Sequence, residues 1–342
     1  MTLSTLAIGM VLAAWLIALL VVRGAIAYAH RQGMLDLPGQ RRSHTIPTPR
    51  GGGIGIVIAA LLSMPASLYL MPAAWPAAVT SALALSTILV AAVGWWDDHR
   101  ALPVLPRLGV QLLSSALFAL ALAATGMSWW WVPLLMLAGA WSINLHNFMD
   151  GIDGLLAQQV IFVGSGLALL AWAASQTALA VAAACLAAAA LGFWYYNRPR
   201  AQIFMGDVGS GTMGFLLFAL SGLLWRVDTS LLWPAAILSS SFVADASLTL
   251  LGRMVSGRRW YTAHREHLYQ WLVRSGFTHA SGGACYLAWN LLVAAPLAAL
   301  AWSWPKGAAL ICVGAYLVAI TVWILMKRQC LRRVLHKGSH VA

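Results

Sequence analysis

Charge is what this sequence has least of. Aspartate and glutamate number nine in 342 residues, and charged residues of all kinds make up 9%, against roughly 25% in soluble globular proteins. With 61% hydrophobic residues, that scarcity argues against a water-solvated globule. Cysteine is sparse too: Cys185, Cys285, Cys312 and Cys330 lie scattered in or beside apolar stretches without a CxxC pair, so neither a zinc cage nor a disulfide framework is indicated. The glycine-rich stretch at 204–215 has no G-K-[ST] ending and no strand before it, which removes the P-loop and the dinucleotide fingerprint.

What is present is a series of apolar runs, each of roughly the 20 residues that span a bilayer as a helix. They fall near 3–22, 51–71, 76–96, 108–125, 129–145, 156–174, 177–195, 211–225, 230–251, 284–303 and 307–326. In lipid every backbone polar group must be satisfied within the segment. The expected fold is therefore an all-α polytopic membrane protein with about eleven transmembrane helices, forming a single integral-membrane domain over 1–342. The opening "MTLST" carries no positive charge and its apolar run exceeds a signal-peptide core, so the first segment is expected to be a retained helix.

Lysine and arginine set the orientation. Alternate connections at 23–50, 97–107, 146–155, 196–210 and 252–283, with the tail at 327–342, hold 19 of the 21 basic residues; only Arg226 and Lys306 lie on the other side. The positive-inside rule then puts the N-terminus in the periplasm and the C-terminus in the cytoplasm. It also accounts for the net charge of +12 without nucleic acid, and suits an anionic leaflet. Most of the acids, Asp36, Asp97, Asp98, Asp150, Asp153, Asp207 and Glu266, sit on the basic side, and Asp245 lies within the ninth run. Carboxylates at a membrane edge are costly and mark functional cavities, so one site on the cytoplasmic face, built from several loops, is expected.

Five stretches carry the candidate chemistry, each with a plainer alternative. "WWDDHR" at 95–100 pairs Asp97 with Asp98. Adjacent carboxylates repel unless a cation or proton compensates, which points to a metal or phosphate chemistry, or to a solvated helix end with Arg100 as partner. "NLHNFMDGIDGL" at 144–155 holds Asn144, Asn147, Asp150 and Asp153. At about 100° per residue all four converge only if the helix ends or bends, which Gly151 and Gly154 permit. The cluster suits oxygen coordination of Mg²⁺, or capping and interhelical hydrogen bonds. "FMGDVGSGTMGF" at 204–215 places Asp207 after Gly206 at a helix start, where backbone N–H groups can meet an anion, or where helices simply pack closely. "RRWYTAHREHLYQWL" at 258–272 offers His264, Arg265 and His267 to a diphosphate, or forms an amphipathic helix on the lipid surface. In "RRSHTIPTPRGGG" at 41–53, Arg42, His44 and Arg50 could contact phosphate or serve topology alone. A transporter of a sugar-lipid or anion is the rival class, although it would tend to place carboxylates near the bilayer midplane.

The ordered set D97-D98, N144-x-x-N147-x-x-D150-G-I-D153-G-L, G206-D207-x-G209-S210 and the histidine loop resembles the polyprenyl-phosphate N-acetylhexosamine-1-phosphate transferases, glycosyltransferase family 4. The likeness covers about residues 30 to 280. The R-S-H-T-x-P-T-P-R-G-G-G stretch and H264-R265-x-H267 look most like the branch that initiates O-antigen and other lipopolysaccharide glycans. The peptidoglycan-precursor branch usually has three consecutive histidines here, which this chain lacks.

The resemblance implies a bacterial inner-membrane enzyme. It would transfer N-acetylhexosamine-1-phosphate from a UDP-N-acetylhexosamine to undecaprenyl phosphate, releasing UMP. Mg²⁺ would be required, with Mn²⁺ as its substitute, and a homodimer is compatible. On that reading Asp207 and then Asn147 are the metal ligands, and Asp97, Asp98 and Asp150 are catalytic, with Asp97 a candidate base. Asn144, Asp153, Gly206, His264, Arg265, His267, Arg42, His44 and Arg50 bind substrate.

Overall fold

The computed structural model describes residues 3–36, 47–258 and 264–339, and about 82% of the chain is helical. In chain order the helices are α1 (Leu3–Gln32), α2 (Ile54–Leu70), α3 (Ala77–His99), α4 (Val104–Ala124), α5 (Val132–Phe148), α6 (Leu155–Ala173), α7 (Thr177–Asn197), α8 (Asp207–Val227), α9 (Leu232–Leu238), α10 (Ser240–Val255), α11 (Leu268–Arg274), α12 (His279–Trp289), α13 (Ala295–Ser303) and α14 (Ala308–Ser339). A single π turn, Asn290–Ala294, joins α12 to α13.

Each of the eleven expected runs is helical. Among the described residues eight helices are long and apolar enough to cross a membrane, and α9 with α10, bent by 74° at their junction, makes a ninth. The remaining two, α2 and α5, are shorter at 17 residues each. The chain is a polytopic helical membrane protein. Among the described residues the one departure from an all-α fold is a two-residue antiparallel ladder, β1 (Leu35–Asp36) with β2 (Thr48–Pro49), which ties the end of α1 to the start of α2.

Burial grades from the centre outward. The apolar stretch of α8 is 83% buried and that of α7 72%, whereas α1 and α14 are each 17% buried. Leu12, Leu20, Leu310 and Leu317 on those outer helices are exposed, as expected of side chains that face lipid tails. Without a hydrophobic drive between helices in lipid, close backbone approach does much of the packing work, and small residues permit it. At Gly94 of α3 an added Cβ would lie 2.4 Å from the Asp207 carbonyl oxygen. The end of α3 thus touches the backbone at the start of α8, and the two carboxylate-bearing termini meet.

Candidate active site

The site forms where the C-terminal ends of α3 and α5 meet the N-terminal ends of α4 and α8. Asp98, 4% exposed, accepts the backbone N–H of Asp207 at 3.0 Å on one oxygen and that of Val208 at 3.1 Å on the other. The anion at the α8 N-terminus is therefore a carboxylate of the protein itself, satisfying donors that a helix start leaves unpaired. Gly206 makes the turn with φ +74°, and a Cβ there would sit 2.5 Å from an Asp98 oxygen. Glycine is needed both for the conformation and for the space. Arg50 donates to the Asp98 carbonyl oxygen, so it braces this junction.

Asp97 meets the Asp207 side chain instead of its backbone, through a hydrogen bond between the two carboxyl groups. It accepts the Leu102 N–H at 2.6 Å and pairs with Arg107 of α4 at 2.6 Å. The same guanidinium reaches Asp207 at 3.0 Å, so a planar cation bridges the two carboxylates. Asn147 donates its amide to Asp207 at 2.9 Å and to the Ser210 hydroxyl at 3.0 Å. Arg107, Gln111, Asn147 and Asp207 line one small pocket between α3, α4, α5 and α8. The expected helix-end partner Arg100 is exposed; the partner of Asp97 is Arg107.

The convergence expected of 144–155 is partial. Helix α5 stops at Phe148, and Gly154, at φ +76°, starts α6. The turn between them carries Asp150 beside the cluster. Its carboxyl is pushed up to about 8, first by burial and then by the charges of Asp207, Asp98 and Asp153. Asn144 points elsewhere, donating to Gln111 at 2.6 Å and to the Ala140 carbonyl. Asp153 also turns away: it accepts the Ala201 N–H at 3.2 Å and pairs with His279 at 3.1 Å, fastening the 198–206 loop and the start of α12.

Of the histidine loop, His267 and Tyr269 pack against the end of α5. His267, 2% exposed, precedes α11 and stacks between Phe148 and Tyr269, with centroids at 6.1 and 5.8 Å. Tyr269 donates to the Phe148 carbonyl at 3.0 Å. The His264 ring lies 4.9 Å from that of His267. Burial lowers both imidazoles, His264 to about 4, so near neutral pH they offer hydrogen bonds and no charge. Between them Glu266 pairs with Arg253 and, at 3.1 Å, with Arg258. Arg42 and His44 lie outside the described residues.

Among the described residues no three His, Cys, Asp or Glu side chains form a metal cage. Magnesium seldom uses one; it binds through one or two carboxylates with waters and substrate phosphates completing the shell. Asp207, Asn147 and Ser210 supply hard oxygen donors, and the Arg107 bridge shows that this spot holds a cation between Asp97 and Asp207. The residues fit such an ion. Sequence reasoning passed over Arg107 and Gln111. Their signal was an arginine one turn before a glutamine buried inside an apolar run, a pair that positive-inside counting absorbs.

Residues 80–224 match a family described as glycosyl transferase family 4. A Mycobacterium tuberculosis decaprenyl-phosphate N-acetylglucosaminephosphotransferase is 27% identical, covering 85% of this chain and 81% of that protein. A probable undecaprenyl-phosphate N-acetylglucosaminyl 1-phosphate transferase of Bacillus subtilis is 26% identical, covering 72% of each chain. A phospho-N-acetylmuramoyl-pentapeptide-transferase of Acaryochloris marina is 34% identical over 60% of each. The matched region spans α3 to α8 and so contains Asp97, Asp98, Arg107, Asn147, Asp150 and Asp207.

Proposed function

We propose that this chain transfers N-acetylhexosamine-1-phosphate from a UDP-sugar to undecaprenyl phosphate, because residues 80–224 match glycosyl transferase family 4 and the chain is similar to polyprenyl-phosphate sugar-phosphate transferases. An acceptor phosphate oxygen attacks the β-phosphorus of the UDP-sugar. A new P–O bond forms, the bond to the UMP phosphate oxygen breaks, and UMP carries away the electron pair. A phosphate monoester, with its second pKa near ~6, is already largely dianionic at neutral pH, so it needs little help from a base.

The observation that carries this reading is the Arg107 bridge between Asp97 and Asp207. Joining two anions demands positive charge placed in advance near the reacting phosphates, and Arg107, held between the carboxylates, is the residue proposed to supply it. Asp207 and Asn147 would hold Mg²⁺, with Mn²⁺ as substitute, and the ion would offset the donor diphosphate's charge. Asp97, already ion-paired, holds Arg107 in place; Asp98 fixes the α8 start that presents Asp207. The half-buried imidazole of His264 and the buried one of His267 suit hydrogen bonds to the donor, and Arg265 its phosphate charge.

We extend the proposal to eleven spans in a bacterial inner membrane, N-terminus periplasmic and C-terminus cytoplasmic, since 19 of the 21 basic residues fall on one side. The site then meets cytosolic donor and membrane acceptor together. The H264-R265-x-H267 loop favours an N-acetylhexosamine donor over a muramyl-pentapeptide one, and initiation of an O-antigen or related envelope glycan. A homodimer is part of the same proposal.

The test is UMP release by purified protein given undecaprenyl phosphate, Mg²⁺ and a panel of UDP-N-acetylhexosamines. Release with one donor, abolished by EDTA, is the expected result. No release, with uptake of a sugar-lipid or anion by proteoliposomes instead, would replace the enzyme with a transporter.

A further inference from the structure

A second cavity lies between α10, α11, the α12–π unit and α14. This cleft, about 390 Å³, shares no lining residue with the pocket that holds Asp207. Its walls are almost wholly apolar, with Ala244, Ala288, Leu292, Ala319, Val322 and Met326 among them. The acid in the wall, Asp245, is saturated: it accepts Leu268 N–H at 2.7 Å, Tyr286 O–H at 2.6 Å and Trp323 Nε1–H at 2.9 Å. The cleft therefore offers a ligand hydrocarbon contact and little else.

Two helix irregularities hold it open. The α9–α10 junction bends by 74°, and the π turn at 290–294 lies across from it. A buried polar network locks both: Gln159 donates to the Leu238 carbonyl at 3.4 Å, Asn290 donates to Gln159 at 2.7 Å, and Ser241 donates to Asn290 at 3.1 Å. Groups satisfied this way resist collapse. An open apolar slot forfeits dispersion contacts along its lining, and in a bilayer the material at hand to fill it is a lipid chain.

Charge marks one end. Lys327, next to the lining residue Met326, holds its ammonium 4.2 Å from the Trp323 ring centroid. Arg253 and Arg258 are engaged by Glu266, while Lys327 meets no carboxylate within ion-pair distance among the described residues. From Ala319 to Lys327 the helix rises about 12 Å at about 1.5 Å per residue, a run that a single chain beneath a headgroup can follow. Leu268 and Leu272 of α11 form one wall, Tyr269 of the same helix bonds Phe148 at the end of α5, and neither Asp97 nor Asp207 lines the cleft.

We propose that this cleft binds one acyl chain of an anionic phospholipid from the surrounding bilayer, its headgroup on Lys327. Leu268 and Leu272 of α11 line the cleft, so the chain also seats the helix that follows His267.

Photo-crosslinking tests this independently of turnover. Full-length protein in detergent is labelled with phosphatidylglycerol carrying a diazirine in its acyl chain, and labelled peptides are mapped by mass spectrometry. Label should concentrate on 285–293 and 319–326. A phosphatidylcholine analogue should label about fivefold less, the worth of one lysine at an anionic lipid, and Lys327→Gln should erase that preference. Ala319→Trp and Ala288→Phe, which fill the slot, should each remove the label; Lys327→Gln gives up a cation–π contact with Trp323 but adds no bulk to the slot, and stands if either fails to fold. Label spread evenly over α1 and the other outer helices, or a preference unchanged in Lys327→Gln, overturns the proposal. So does displacement by excess undecaprenyl phosphate, which would give the cleft to the acceptor. Failure of the transferase assay with the label in place would touch only the proposed reaction.

Discussion

Replacing Asp98 by asparagine separates a residue that shapes the site from one that reacts in it. The carboxylate takes the Asp207 and Val208 N–H groups at 3.0 and 3.1 Å. Hydrogen bonds to a charged group contribute about 1.5–3 kcal/mol each, and a negative charge at a helix start adds up to ~2 kcal/mol when partly buried. Asparagine keeps one acceptor but aims its own N–H at the other donor. At 4% exposure water cannot make up the loss, so Asp98→Asn should cost about 2–4 kcal/mol. Thermal unfolding in detergent should show a midpoint several degrees below wild type. At a temperature well under both transitions kcat should fall on the order of 10²-fold, the effect of displacing a reacting group by about 1 Å, with little change in KM. An Asp98→Asn protein that unfolds like wild type yet turns nothing over would refute this, because Asp98 would then act on substrate directly.

Arg107→Lys should retain partial activity and Arg107→Ala lose about 10²–10³-fold in kcat, because only a guanidinium fork bridges two carboxylates; equal activity in both variants would remove the bridge from the mechanism. Asp207→Ala, in folded protein, should abolish Mg²⁺-dependent turnover, and full activity would sink the metal assignment. Asp150 has its carboxyl raised to about 8, so the folded chain keeps a proton that the unfolded chain has lost, and stability falls as pH rises from about 4 to about 8. Without added Mg²⁺, the melting midpoint of Asp150→Asn relative to wild type should therefore climb across that window and level off above it; a flat difference would mean Asp150 is ionised throughout. Gly206→Ala should destabilise more than a helix-surface substitution, since its Cβ would fall 2.5 Å from Asp98, and an unchanged midpoint would contradict the tight turn.

The helical runs were legible because spanning length and apolar composition are properties of single segments, and all eleven are helices. The gathering of Asp97, Asp98, Asn147, Asp150 and Asp207 followed from their placement at one side of the runs. Finer roles were not legible. Adjacent residues on a helix point about 100° apart, so Asp98 takes the backbone at the start of α8 while Asp97 takes Arg107 of α4 and the Asp207 side chain. Asn144 and Asn147 look alike in sequence, yet one bonds α4 and the other Asp207. Arg107 was hidden because a basic residue in a loop serves topology equally well, and the cleft beside α10 because a π turn and a helix bend leave little trace in composition.

The bond between Asp98 and the start of α8 joins residues 109 apart. At about 5–20 residues per second of synthesis, α3 emerges some 5–20 s before its partner. During that interval Asp98, and Asn147 after it, stand at a membrane edge without the helix that satisfies them. The central position of α8 thus sets an order of completion: α1, α2, α6 and α7, and likewise α3, α4 and α5, have partners among themselves, but Asp98 and Asn147 meet theirs only once α8 has been made.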